Sequence, residues 1–184
     1  MLNNGMTILI VGDCGSGKTW VMKQLIEKYK LSLKRNLGTL HYVTNNKINL
    51  LGKYDEEHTF SGSDRLSMSV MLDVPQYYKL NADLITVAEG DRFTNKNFIE
   101  AGKAFIIRIE DNGSEGRKKR GSTQTDRHIK SIHTRVRNIE PNLVVQNSTI
   151  CLQVVEAFLN EDTALIAEYK ETYFHNQQQL DLFQ

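Results

Sequence analysis

Apolar positions along this chain change period several times. Short apolar runs bounded by turn residues stand at 7–11, 40–44, 84–88, 104–109 and 143–146. Their length and their Val, Ile and Leu content predict strands. Between most of them the period becomes helical. Val21, Met22, Leu25, Ile26 and Tyr29 follow the first strand at three- and four-residue spacing, and Leu152, Val155, Phe158 and Leu159 do so after Ser148 or Thr149, either of which suits a cap. A basic helix is predicted over 126–138 and closed by Pro141. Strand and helix in alternation give an α/β fold with a mainly parallel central sheet. One stretch departs from it: after 40–44 come Asn45-Asn46 and a second apolar segment at 47–54, the pattern of a hairpin. The polar, glycine-rich segment 111–122 has no apolar period and is expected to be a mobile loop.

Composition narrows the class. The 184 residues make one domain with room for a substantial core, and the formal net charge of +1 excludes a protein that coats nucleic acid over its whole surface. Any nucleic-acid contact must be local. No apolar run approaches the ~20 residues of a membrane span, and the N-terminus lacks a basic stretch leading into an apolar core, so a cytoplasmic protein with no membrane partner is expected. Cys14 and Cys151 have neither metal-ligand spacing nor the count of a disulfide framework, in keeping with a reducing compartment. No internal repeat is present, and the one biased stretch is Gln177-Gln178-Gln179.

The chemistry is concentrated behind the first strand. Gly12-Asp13-Cys14-Gly15-Ser16-Gly17-Lys18-Thr19 satisfies GxxxxGK followed by Ser or Thr, between a buried strand and a helix. In a phosphate-binding loop of this kind the glycines turn backbone N–H groups inward, the lysine reaches the β and γ phosphates, and the hydroxyl of Thr19 suits Mg²⁺. Here the side chain of Cys14 is incidental. A metal-organising carboxylate belongs at the end of a neighbouring strand, where Glu89 and Asp91 stand, with Arg92 placed to touch a phosphate or pair with either acid. Spacing leaves open which acid takes which role. Phe60-Ser61-Gly62-Ser63-Asp64-Arg65-Leu66-Ser67 lies where a kinase would bind its acceptor. Asp64 there suits a general base and Arg65 a phosphate or acidic group, with Asp55 as a rival base and a helix N-cap as the competing use of Ser63 and Asp64. Segment 117–137 supplies eight Lys and Arg side chains against Asp126. Arg127 is the first candidate for a lid cation over the γ-phosphate and Arg117 and Arg120 follow, while Arg135 and Arg137 suit a nucleic-acid backbone. A solvated basic face is the plain alternative for any one of them.

Together the loop at 12–19, the stretch at 60–67, Glu89-Gly90-Asp91-Arg92-Phe93 and the run from Gln124 and Arg127 to Arg137 resemble small phage-type P-loop kinases. Among these they are similar to the 5-hydroxymethyluracil DNA kinases, which phosphorylate the hydroxymethyl group of a modified pyrimidine in DNA. The likeness covers roughly 7–158, and the loop is its most specific part. It implies a three-layer P-loop kinase fold over 1–174 with a lid at about 111–127, ATP and Mg²⁺, an acceptor near Asp64, a closing Arg127 and adenine near 147–149. If the chain is phage-encoded, the compartment is the cytoplasm of a bacterial host.

The end of the chain, Gln179-Leu180-Asp181-Leu182-Phe183, resembles the short peptide by which bacterial replication proteins dock on the sliding clamp. It is expected to sit on a flexible tail, 175–184, with Leu182 and Phe183 as apolar anchors; folding back onto the domain is the alternative. Docking would favour DNA as the acceptor through local concentration. Besides phosphoryl transfer to DNA, the sequence admits a kinase of a free nucleoside or nucleotide, a small switch ATPase, and a clamp-binding module without catalysis.

Overall fold

A computed structural model of the protein describes residues 5–54, 61–119 and 121–181. Seven strands form one sheet in the order β2-β3-β4-β5-β1-β6-β7. These are β1 (Thr7–Gly12), β2 (Leu33–Leu37), β3 (Leu40–Thr44), β4 (Ile48–Leu51), β5 (Ile85–Glu89), β6 (Phe105–Ile109) and β7 (Leu143–Val145). From β4 to β7 every neighbour pair is parallel, while β2 and β3 are added antiparallel at one side. The predicted hairpin is β3 and β4, with Asn46 at positive φ in its turn.

The parallel part is covered on both faces, an arrangement compatible with a three-layer α/β fold. Along β1, Ile8 and Ile10 belong to one buried cluster and Leu9 and Val11 to the other, as the two-residue side-chain period requires. The first cluster is filled by α1 (Lys18–Lys28), α6 (Ser148–Leu159) and α7 (Thr163–Asp181), through residues such as Met22, Leu25, Val154, Phe158 and Ile166. The second receives α2 (Val74–Leu80), α3 (Lys96–Ala101) and α5 (Asp126–Arg137), through Tyr77, Phe98, Ile132 and Val136. The helices that follow β1 and β5 therefore lie on opposite faces, although the two strands are hydrogen-bonded neighbours. Such a reversal opens a crevice at the carboxyl ends of the strands, where open α/β sheets bind ligands.

Four expectations need correction. β2 has no sequence signal because Leu33-Lys34-Arg35-Asn36-Leu37 is exposed along nearly its whole length and carries no apolar period. Within the segment expected to be a loop, Ser114–Lys119 forms a helix, α4, which buries no apolar side chain and so leaves no periodic trace. Asn147, rather than Ser148 or Thr149, caps α6 by accepting from the amide of Ile150. Last, 175–181, expected to be flexible, is helical and continues α7, in keeping with Gln and Leu as good helix formers and no Gly or Pro to stop the turn. Leu182 and Phe183 lie outside the described residues. Among the described residues, no helix is long and apolar enough to cross a membrane.

Candidate active site

The glycine-rich loop joins the end of β1 to α1 at the mouth of this crevice. Gly17, the N-cap of α1, is left-handed (φ 91°) and no side chain caps the helix. A helix begun this way leaves the amides of its first turn, Lys18 to Trp20, without partners from the helix itself, and they face the loop with the positive end of the peptide dipoles behind them. Within the loop, the ammonium of Lys18 donates to the carbonyls of Gly12 at 2.9 Å and Asp13 at 2.8 Å and stands 3.5 Å from Ser16 Oγ. These are neutral acceptors, so an arriving anion competes for the lysine on favourable terms.

β5 brings Glu89 alongside. In the β1–β5 register Ile10 is opposite Glu89, and the carboxylate accepts from the Thr19 hydroxyl at 3.3 Å and from the Ser63 amide at 3.4 Å. Glu89 is only 3% exposed. Burial pushes its carboxyl up to about 7, with the charge of Lys18 opposing the rise and that of Asp64 adding to it. Gly62 makes the close approach of Ser63 possible. Its φ is +82°, and a side chain there would run into the Glu89 carboxylate.

The Ser63–Arg65 stretch is a single 3-10 turn, held by the paired backbone bonds between Lys53 and Gly62 at 3.1 and 2.6 Å. Neither Ser63 nor Asp64 caps a helix; Ser67 does so for the next turn, and the capping explanation of Asp64 falls away. Asp64 lines a cavity of about 410 Å³ walled by the loop, Lys18, Thr19 and Glu89, and it also lines a second of about 500 Å³. Asp91, His128 and Ile132 are likewise common to both. Asp91 is tied to Arg135 at 2.6 Å through Oδ2. Its Oδ1 is buried without a hydrogen-bond partner among the described residues, as is Ser63 Oγ. Orphaned polar atoms of this kind cost about 1–3 kcal/mol each, and are retained where a ligand or water completes them.

The basic segment closes one side. α4 lies directly on the loop: Gly15 meets the backbone at Gly113 and Arg117, Gly116 meets the Gly15 backbone, and a Cβ at either glycine would collide. Arg117 donates to the carbonyls of Cys14 and Asn112, both at 2.7 Å. From α5, His133 pairs with Asp13 at 2.9 Å.

Predicted residues divide accordingly. Gly12, Cys14, Gly15, Gly17, Lys18, Thr19, Asp64, Glu89 and Asp91 share the first cavity, while buried Asp13 and Ser16 brace the loop, with Asp13 bonded to His133 and Ser16 bonded within the loop. Arg92 and Arg135 line the second, with Arg92 also against the sulfur of Met68. Arg127 is exposed and lines neither cavity. On α5 the inward face is His128, Ile132 and Arg135, spaced by four and three, and residue 127 is rotated about 100° away from 128. Arg137 is turned to Glu110 at 2.5 Å, and residues 147–149 are not among the cavity lining. Arg65 belongs to a third, smaller pocket. Asp55 and Arg120 lie outside the described residues. The sequence reading missed His128, for which the helical spacing to Ile132 was the available signal; Lys119 and Gln124, which it placed in the basic segment and in the run before Arg127 without a role of their own, also line the first cavity.

Among the described residues, no three His, Cys, Asp or Glu side chains are grouped to hold a metal ion. The donors present, Thr19 and Glu89, instead suit a Mg²⁺ that keeps waters and phosphate oxygens as its other ligands. No protein-family model matches the chain, and comparison with curated proteins finds no match.

Proposed function

We propose that this chain is an ATP-dependent kinase of the P-loop kind, which transfers the γ-phosphoryl group to the hydroxymethyl group of a modified pyrimidine, 5-hydroxymethyluracil, in DNA. The observation that carries the reading is the pair of adjoining cavities with Asp64, Asp91 and His128 common to both, one of them walled by the glycine-rich loop and Lys18. A donor site and an acceptor site that share their acids are what in-line phosphoryl transfer needs.

Each residue has a definite task in this reading. The first-turn amides of α1 and Lys18 bind the phosphates, Lys18 exchanging two neutral carbonyls for charged oxygens. Thr19 and Glu89 hold Mg²⁺, which when bound neutralises charge on the phosphates. Asp64 takes the proton of the attacking hydroxyl as the new P–O bond forms and the bond to the β-phosphate oxygen breaks. Asp91 holds Arg135 over the acceptor cavity. Lys119, the cation of α4 that lines the first cavity, takes the role expected of Arg127, while Arg117 lines neither cavity and holds α4 on the loop through the Cys14 carbonyl.

The test incubates the protein with labelled ATP, Mg²⁺ and DNA carrying thymine, 5-hydroxymethyluracil or 5-hydroxymethylcytosine, with free nucleosides and monophosphates alongside. Label on hydroxymethyluracil DNA is the expected result. Label on monomers alone would make the protein a nucleoside or nucleotide kinase, and inorganic phosphate alone would make it a switch ATPase.

A further inference from the structure

Trp20 has no place in the core. It follows Thr19 in the first turn of α1, whose buried side chains are Val21, Met22 and Leu25, and it belongs neither to the two buried clusters nor to the residues packed against them. It is 43% exposed, although tryptophan is ordinarily well covered. A tryptophan placed to cover the sheet would share the face of Val21 and Leu25; this one is rotated about 100° from Val21. What it lines instead is the first cavity, with the glycine-rich loop, Lys18 and Thr19. Lys23, three residues on and therefore on the same side of the helix, lines it too, so the cavity wall continues from the phosphate loop along the first two turns of α1. Among the described residues, no other Phe, Tyr or Trp lines either catalytic cavity.

The first cavity has a task that the catalytic reading leaves unassigned. Lys18 and the amides beside it take phosphates, but a nucleotide also carries a flat base with two apolar faces. The turn at 147–149, where the kinase resemblance implies adenine, is not among the cavity lining. An indole is the largest aromatic face a side chain can offer, and it stacks on any base because every base has a π-face.

We infer that the indole of Trp20 is the stacking platform for the nucleobase of the bound nucleoside triphosphate. This rests on the reading that a nucleotide fills the loop, and not on phosphoryl transfer. The phosphates are then held by the loop and the base by the helix that follows it, both ends of the ligand on one short stretch of chain.

The chain has one tryptophan, so its fluorescence reports this position alone. The test follows the shielding of that fluorescence from acrylamide at saturating Mg²⁺-ATP, at saturating Mg²⁺-tripolyphosphate, and with a single-stranded oligonucleotide in place of nucleotide. ATP should shield the indole, and tripolyphosphate, which fills the loop without a base, should leave it as open as in the free protein. Equal shielding by both, or none by ATP, overturns the inference. Shielding by the oligonucleotide alone also overturns it and gives the ring to the acceptor. By calorimetry, Trp20→Ala should weaken ATP binding about 5- to 150-fold, the usual worth of one aromatic–base stack, and leave tripolyphosphate affinity unchanged. Trp20→Phe should recover most of the ATP affinity. An alanine variant that loses both ligands equally, or neither, refutes a stacking role; if it fails to fold, Trp20→Leu is read in its place. Label transfer to DNA with ATP affinity unchanged in the variant would keep the kinase and discard the platform, whereas shielding specific to ATP without transfer to any acceptor would do the reverse.

Discussion

Glu89 should make the protein less stable as pH rises through neutrality, and its amide variant should not. In the fold its carboxyl is pushed from the ordinary 4.5 up to about 7 by burial. Below pH 4.5 the group is protonated in both folded and unfolded chains, and its contribution is fully present. Between 4.5 and 7 the unfolded chain releases a proton that the folded chain keeps, so stability falls. Above 7 the folded carboxyl ionises too and the loss levels off at about 3 kcal/mol, a large share of a typical domain stability of 5–15 kcal/mol. Glu89→Gln keeps an oxygen to accept from Thr19 and Ser63 but has no charge to bury. Urea unfolding from pH 5 to 8 should therefore find the variant ahead of wild type by less than about 1 kcal/mol at pH 5 and by about 3 kcal/mol at pH 8. A gap that does not change with pH, or a wild type more stable at pH 8, would refute the argument. The same buried acid links nucleotide binding to protons. With the carboxyl near 7, Mg²⁺-ATP should release about half a proton at pH 7, readable by calorimetry in buffers of different ionisation enthalpy, and the glutamine variant should release none from this position.

Lys18→Ala should lower transfer by about 10³-fold, since a preorganised charge at the developing phosphoryl group is lost; undiminished label transfer would remove the loop from the chemistry. Asp64→Asn should slow transfer by about 10²–10⁴-fold while calorimetric ATP affinity stays close to wild type, and equal rates would assign the proton to another acid. Deleting 179–184 should spare transfer to naked DNA and abolish co-purification with a bacterial sliding clamp. Clamp association that survives the deletion retires the docking peptide.

Much of the site was legible because its chemistry is local. The loop needs glycines, a lysine and a hydroxyl in eight consecutive positions, and the strand before it and helix after it each carry their own apolar period. Glu89 and Asp91 were findable as acids at a strand end. Their division of labour was not, because it depends on which of them is buried against Thr19 and which meets Arg135 from a helix more than forty residues later. Likewise the choice between Arg127 and His128 is a rotation of about 100° about one helix axis, fixed only when Ile132 and Val136 dock on the sheet.

What the sequence determined by itself was therefore whatever repeats or closes within about a dozen residues: the strand–helix alternation, the hairpin, and a nest of amides beside Lys18. Only the folded chain decided what meets across long separations. It pressed a helix with no apolar face onto the loop through Gly15 and Gly116, and it drew Lys34, Arg35, His41, Lys53 and Arg65 into one pocket. Neither arrangement leaves a periodic trace, because the first is held by backbone approaching backbone and the second gathers charges that no apolar pattern orders.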